Sequence, residues 1–239
     1  MKLGIHTTTK TLKSIFEDDK EEREYRSSGR ISLKRLCNGS VTDHIFEKKI
    51  TPADKKDLAV VLLVDESGSM QFQNKYLAAR DCCIALAEVF NNLKVPVYVI
   101  GFTADTMGYD IVHSHYVTWK NTKDDRLKLL NISARSDNCD GASIRYATEI
   151  IKKKHSKNKL LIVISDGRPV ALNYPRGDED TKDAIKAAKK HASVLGVAVG
   201  NNDTEKIQYF YENDFLHVSQ VSDLFSGIAK AVKKIIKKW

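Results

Sequence analysis

The sequence lacks the marks of membrane, exported and disulfide-stapled proteins. It has no run of about 18 apolar residues and no charged-then-apolar leader, so we expect neither a membrane span nor export. Only four cysteines occur in 239 residues, as one adjacent pair and two single residues, without a CxxC metal motif. Because such thiols form no disulfide framework, the sequence favours a reducing compartment and a cytoplasmic location.

Proline is also scarce, with four scattered residues, and no Pro/Gly-rich linker, repeat or low-complexity stretch is present. The composition, 42% hydrophobic and 29% charged, is that of a soluble globular protein, long enough to bury a sizeable core. We expect a charged N-terminal extension over residues 1–56 and one folded domain over residues 57–239, because the dense charge of the run 16–26 gives way to apolar segments.

The net charge of +8 raises the question of nucleic-acid binding, so its location matters more than its size. Residues 1–57 carry a net +3, residues 58–227 are neutral, and residues 228–239 carry five lysines and no acid. The helical pattern 221–239 places these lysines largely opposite an apolar face, which predicts a packed helix with a solvated side. We therefore expect no nucleic-acid partner, and scaffolding of nucleic acid through the lysines is the weaker alternative.

Continuous apolar runs predict strands that are buried on both faces, as in a parallel sheet. They occupy residues 58–64, 95–102, 159–165 and 195–200, with a shorter segment at 215–218. Helical patterns at 75–93, 142–154, 180–195 and 221–239 alternate with them, while 111–119 has the alternation of an antiparallel edge strand. The predicted fold class is α/β: a doubly wound, mostly parallel sheet flanked by helices.

Polar residues follow the first and third of these strands, at the edge of the sheet where such folds bind ligands. Asp65, Ser67 and Ser69 come directly after the first strand, in a tight turn that contains a glycine. A carboxylate and two hydroxyls offer the oxygen ligands that Mg²⁺ prefers. Asp166 follows the strand 159–165, and the loop 137–141, which holds Asn138 and Asp140, precedes a helix.

The order of these features, an apolar strand with Asp-x-Ser-Gly-Ser, a second polar loop and then strand-Asp-Gly, resembles a von Willebrand factor A domain with a metal-ion-dependent adhesion site. The resemblance covers roughly residues 58–239. It implies Mg²⁺ or Mn²⁺ held by Asp65, Ser67 and Ser69, with Asp166 acting mostly through water. It also implies a non-catalytic module whose metal shell is completed by a carboxylate of a protein partner.

The second loop departs from that family pattern, which has a threonine where this chain has Asn138. Either Asn138 or Asp140 takes its place, and a second direct carboxylate would bind the metal more firmly while weakening its attraction for a partner's acid.

Residues 140–147 and 165–169 are similar to a bacterial subgroup, the nitric-oxide-reductase activation proteins and cobaltochelatase subunits. This similarity implies a MoxR-type AAA+ ATPase as the partner, in metal insertion or metalloenzyme maturation.

Two other interpretations use the same residues. Asp65 could be the nucleophile of a Mg²⁺-dependent phosphotransferase of the haloacid-dehalogenase type, but that chemistry needs a second aspartate two residues later, where this chain has Ser67. Alternatively, Asp65 caps a helix and the two serines are turn residues, a structural role that leaves the three-loop pattern unexplained.

Overall fold

The computed structural model describes residues 2–17, 22–37, 44–50, 57–167, 174–200, 204–219 and 221–236. In chain order the elements are α1 (Lys2–Glu17), β1 (Glu22–Arg26), β2 (Arg30–Ile31), α2 (Leu33–Cys37), β3 (Phe46–Ile50), β4 (Leu58–Asp65), a 3₁₀ segment (Gly68–Asn74), α3 (Lys75–Asn92), β5 (Val97–Ala104), β6 (Ile111–Val117), α4 (Lys123–Lys128), a second 3₁₀ segment (Leu129–Asn131), α5 (Asp140–Lys152), β7 (Asn158–Ser165), α6 (Gly177–Ala188), β8 (Ser193–Val199), α7 (Thr204–Tyr211), β9 (Phe215–Val218) and α8 (Val221–Ile236).

Six strands form the main sheet, in the order β6-β5-β4-β7-β8-β9. All neighbouring pairs are parallel except β5 and β6, which pair antiparallel as the alternating pattern predicted. Every residue of the central strand β4 is buried, which explains its uninterrupted apolar sequence. The structure thus confirms the doubly wound α/β fold with an antiparallel edge strand.

Helices cover both faces of this sheet, so each strand divides its side chains between two cores. Val60 and Leu62 of β4 pack with α1, α3 and α8, whereas Val61 and Leu63 pack with α5, α6 and α7. In the sheet, β4 has β5 as its neighbour on one side and β7 on the other, so the chain first continues from β4 to one side of the sheet and later returns to the other. The strand order therefore reverses at β4, and the ends of β4 and β7 border the position where such sheets bind ligands.

Helix α1 was not predicted, and it packs on the main domain. Leu12 is fully buried in the same core as α3 and α8. A separate three-stranded antiparallel sheet, in the order β1-β3-β2, follows it. The division into an extension over 1–56 and a domain over 57–239 stays a prediction, and the charged run 16–26 includes residues 18–21, which lie outside the described residues.

The predicted helix 180–195 is wrong at its C-terminal end. Helix α6 stops at Ala188, and Ser193 already pairs with Leu160 as the first residue of β8. Pairing with a buried strand outweighs the local helical pattern there.

Helix α8 has the predicted apolar and lysine sides. Leu224, Ile228 and Val232 are buried, while Lys230 and Lys233 are exposed, as predicted for a packed helix with a solvated lysine side. No helix in the described part of the chain is both long and apolar enough to span a membrane.

Candidate functional site

Six of the polar residues singled out by the sequence meet at the carboxyl end of the sheet. We call this region the polar crevice, defined by Asp65, Ser67, Ser69, Asn138, Asp140 and Asp166. Its residues come from the turn after β4, from the segment before α5 and from the end of β7. All but Ser69 are buried, with no more than 3% of their surface exposed.

The turn after β4 holds its aspartate and serines in a tight arrangement. Asp65 is the last residue of β4, and its Oδ1 accepts a hydrogen bond of 2.8 Å from the backbone N–H of Ser67. The hydroxyl oxygens of Ser67 and Ser69 lie 3.1 Å apart. The turn therefore places one carboxylate and two hydroxyls, all oxygen donors, around one small region.

The segment before α5 is fastened to this turn by backbone hydrogen bonds. The N–H of Arg135 donates to the carbonyl of Glu66 at 2.7 Å, and Ala104 at the end of β5 exchanges two bonds with Asp137. Gly68 approaches the carbonyl of Ser136 so closely that a Cβ there would lie 3.3 Å from that oxygen. A residue with a side chain would thus press on the neighbouring backbone.

Asn138 and Asp140 differ in their hydrogen bonding: Asn138 bonds to Asp65, whereas one oxygen of Asp140 has no partner among the described residues. The Nδ2 of Asn138 donates to Oδ2 of Asp65 at 3.3 Å. Asp140 is the first residue of α5, and within the described residues its buried Oδ2 has no hydrogen-bond partner. The amide of Asn138 thus satisfies Asp65, while a carboxylate oxygen of Asp140 is left without a donor.

Asp166, one residue beyond β7, forms a buried ion pair. Its Oδ2 lies 2.8 Å from the ammonium nitrogen of Lys75, the first residue of α3. Its other oxygen, Oδ1, has no hydrogen-bond partner among the described residues. The following Arg168 and Pro169, part of the sequence motif, lie outside those residues.

Crowding of carboxylates in a buried place changes their acidity. Burial, and next the charge of Asp166, raise the pKa of Asp65 from 3.8 to about 7. Burial, followed by the charges of Asp65 and Asp166, raises the pKa of Asp140 well above its ordinary value. In both cases burial is the larger cause of the raised pKa, and repulsion between carboxylates that share the crevice adds to it.

Two further groups hold the crevice in place. Tyr174 donates to Oδ2 of Asp180 at 2.6 Å and accepts a bond of 3.1 Å from the N–H of Gly141. Arg145 on α5 makes two hydrogen bonds to Asp180 on α6. Since Gly141 directly follows Asp140, this network fixes the start of α5 against α6. The sequence did not indicate these bracing residues, because their contacts with α5 join residues more than thirty positions apart.

Lys75 was also missed, although it forms a buried ion pair with Asp166. Its position at the start of an amphipathic helix is ordinary for a lysine, so no signal in the sequence distinguished it. No three His, Cys, Asp or Glu side chains in the described part of the chain are placed to hold a metal ion by themselves. A metal in the crevice would therefore require the serine hydroxyls, and the metal role of these residues stays a prediction.

Comparisons with known proteins agree with the fold. The chain is 27% identical, over 98% of its length, to the uncharacterized protein YojO of Bacillus subtilis, of which it covers 40%. Among solved structures, it resembles the conserved hypothetical protein BatB of Bacteroides thetaiotaomicron at 18% identity and a TM-score of 0.55, covering 75% of this chain and 99% of that one. It also resembles the manganese-loaded TRAP protein of Plasmodium vivax at 11% identity and a TM-score of 0.55, covering 76% of this chain and 74% of that one.

The chain spans less than half the length of the Bacillus relative. At these identities the two solved structures establish the fold alone. The family assignment comes from the model of the von Willebrand factor type A domain, which matches residues 59–234, nearly the whole of the main sheet and its helices. Domains of this kind are typically protein-interaction modules, and this chain belongs to the von Willebrand factor type A domain family.

Proposed function

We propose that the chain is a non-catalytic, metal-dependent protein-interaction module, in which Mg²⁺ or Mn²⁺ in the polar crevice binds an acidic residue of a partner protein. The observation that carries the proposal is the cluster of three buried carboxylates in the crevice, to which one ammonium, that of Lys75, is paired. Asp140 and Asp166 each present a buried oxygen without a hydrogen-bond partner among the described residues. Buried carboxylates of this kind are normally paired with a cation or bound to a metal.

The available ligands fit a hard divalent cation. Asp65, Ser67 and Ser69 would supply oxygen ligands from the turn after β4, as the family resemblance implies, and Asp140 would add a carboxylate from the start of α5. Mg²⁺ and Mn²⁺ favour such oxygen donors over sulfur and nitrogen. When bound, the metal supplies positive charge and exchangeable coordination positions that a partner's carboxylate can occupy.

The residues of the crevice supply position and shielding. The N–H of Ser67 and the amide of Asn138 each donate to Asp65, which orients its two oxygens. Burial keeps water away from these bonds, so the electrostatic interactions in the crevice are stronger than they would be at the surface. The partner's acid would approach from the open side of the sheet edge, where Ser69 is partly exposed.

We further propose a MoxR-type AAA+ ATPase as the partner, in metal insertion or metalloenzyme maturation, within the cytoplasm. Support for the partner comes from the similarity of residues 140–147 and 165–169 to the nitric-oxide-reductase activation and cobaltochelatase group. The cytoplasmic location rests on the four free thiols, of which Cys82, Cys83 and Cys139 are buried.

Calorimetric titration with Mg²⁺ and with Mn²⁺ tests the metal site. We expect binding to the unmodified chain, at least tenfold weaker binding to Asp65→Asn, and weaker binding to Ser69→Ala. Ser69 is half-buried, so its variant should fold even if the aspartate variant does not. Asp124→Asn, at an exposed carboxylate of α4, is the matched control and should bind as the unmodified chain does. Indistinguishable heats for all four proteins would contradict the proposal.

The phosphotransferase alternative has its own test. If the chain hydrolysed a generic phosphate ester with Mg²⁺, and Asp65→Asn abolished that turnover, Asp65 would be a nucleophile rather than a metal ligand. We expect no turnover, because Ser67 stands where the general acid of that reaction is needed.

A further inference from the structure

Lys75 is buried beside the polar crevice. Only 5% of its surface is exposed, and its ammonium nitrogen lies 2.8 Å from Oδ2 of Asp166. Its aliphatic carbons pack against the backbone of Gly200. A Cβ at position 200 would lie 3.1 Å from Cε and 3.2 Å from Cδ of the lysine. The absence of a side chain on Gly200 thus leaves room for the Lys75 side chain, whose ammonium reaches Asp166 in the crevice.

The backbone before Lys75 is held in an unusual conformation. Gln73 and Asn74 are both left-handed, with φ of 54° and 55°. Two consecutive non-glycine residues in this region are disfavoured. The backbone N–H of Lys75 donates to the carbonyls of Met70 and Phe72, which fixes the position from which the lysine reaches Asp166.

The charges around Lys75 do not balance. Three carboxylates, those of Asp65, Asp140 and Asp166, are buried together in the crevice. Burial first, and the charges of the neighbouring carboxylates second, raise the pKa of Asp65 and of Asp140. Among the described residues, Lys75 is the one buried basic side chain. With all three acids ionised, a single ammonium leaves two negative charges, which is the charge that one divalent cation would neutralise.

We propose that Lys75 is a tethered cation that competes with the divalent metal for Asp166 and so sets how tightly the crevice holds its ion. The inference rests on the proposed function and adds a regulator to the same site. In the absence of metal, the ammonium neutralises Asp166 and stabilises the crevice. Entry of the metal then requires the ion pair to open or to share its carboxylate with a second cation, and repulsion between the two cations weakens metal binding.

The test compares Mn²⁺ affinity in the unmodified chain and in Lys75→Met, which keeps an unbranched side chain as far as Cε and removes the ammonium. We expect binding to Lys75→Met to be at least tenfold tighter, equivalent to about 1.4 kcal/mol. Lys189→Met, at a lysine that pairs with Glu212 on the surface, is the matched control and should leave the affinity unchanged. Far-UV circular dichroism and thermal unfolding establish that each variant is folded.

The outcomes separate this inference from the proposed function. Tighter binding in Lys75→Met than in the unmodified chain supports both. Equal or weaker binding in Lys75→Met overturns the role of the lysine and leaves the metal site standing. Binding in Lys75→Met alone supports the lysine as a replacement for the metal and overturns the metal-dependent function of the unmodified chain. If neither protein binds Mn²⁺, both proposals fail.

A second measurement needs no substitution, in case Lys75→Met does not fold. The unmodified chain is treated with an amine-reactive ester, and the extent of labelling of each lysine is read by peptide mass spectrometry. We expect Lys75 to react slowly without Mn²⁺ and several-fold faster with it, because competition frees the ammonium, whereas Lys189 should not change. Unchanged labelling of Lys75, with or without Mn²⁺, would overturn the inference.

Discussion

The hydroxyl of Tyr116 on β6 donates a hydrogen bond to Oε1 of Glu66, and both side chains are buried. Glu66 lies between Asp65 and Ser67, so this bond ties the edge strand to the turn that builds the polar crevice. Burial, the largest effect, raises the pKa of Glu66. The carboxylate therefore depends on the few donors that reach it.

Removing that donor should destabilise the fold. We expect Tyr116→Phe to lower the free energy of unfolding by roughly 1–3 kcal/mol, because a buried carboxylate loses one of its hydrogen-bond donors. Urea denaturation measures the change. Tyr109→Phe, at a residue that is 74% exposed, is the control and should have no effect. Equal midpoints for the two variants would show that the Glu66 contact contributes nothing to stability.

The start of α5 should tolerate no side chain at position 141. A Cβ on Gly141 would overlap Oδ2 of Asp180 and lie 2.7 Å from the hydroxyl of Tyr174. We expect Gly141→Ala to cost about 1–3 kcal/mol of unfolding free energy through overpacking. In the background of Asp180→Ser, which shortens the clashing side chain, the same substitution should cost less. Strictly additive costs in the double variant would argue against the clash.

The two candidates for the second loop make different predictions for metal binding. Asp140 has a buried oxygen without a partner among the described residues, whereas Asn138 already donates to Asp65. We therefore expect Asp140→Asn to weaken Mn²⁺ binding at least tenfold and Asn138→Ala to weaken it less, as measured by calorimetry. The opposite order would assign to Asn138 the place that threonine has in the family.

The stability of the protein should depend on His113 near neutral pH. Burial, and next the charge of His115, lower the pKa of His113 from 6.5. The ring stacks on Tyr146 at 4.1 Å, and its Nε2 lies 3.2 Å from the hydroxyl of Ser143. Because the fold favours the neutral imidazole, the contribution of His113 to stability should decrease as the pH falls below about 6.5, where the unfolded state is protonated. The raised pKa of Asp65 acts in the opposite direction, so the effect of His113 is measured as a difference between variants.

The measurement is the melting temperature at pH 7.5 and at pH 5.5. We subtract the melting temperature at pH 7.5 from that at pH 5.5, and we expect this difference to be more positive for His113→Gln than for the unmodified chain, since glutamine does not titrate. His155→Gln, at an exposed histidine, should give the same difference as the unmodified chain. An unchanged difference in His113→Gln would show that His113 does not contribute to the pH dependence.

Helix α1 should behave as part of the folded domain. Leu12 is completely buried against α3 and α8, and Leu3 on the same helix is 80% exposed. We expect Leu12→Ala to cost about 2–5 kcal/mol of unfolding free energy, the usual range for a core leucine. Leu3→Ala should change it by less than about 0.5 kcal/mol. Similar small effects of both substitutions would support a detachable extension over residues 1–56.

Much of the fold could be predicted because its evidence is local. The apolar run 58–64 is uninterrupted, and β4 is buried at every position, so a strand covered on both faces leaves a direct mark on the sequence. The edge strand β6 could also be predicted, because its apolar and polar residues alternate and it is less buried than β4. Elements without a clear pattern were predicted less well: α1 was missed, and residues 193 and 194 were assigned to a helix rather than to β8.

By itself, the sequence determined that Asp65 and Asp166 would meet, because the carboxyl ends of neighbouring parallel strands lie at one edge of a sheet. Only the tertiary structure decided what surrounds them. Lys75 reaches Asp166 across 91 residues, and Asp180 braces the helix that begins at Asp140. Charge pairs of this kind depend on how helices pack and where side chains point. The periodicity of the sequence predicts helices and strands, but it does not predict which charged side chains meet.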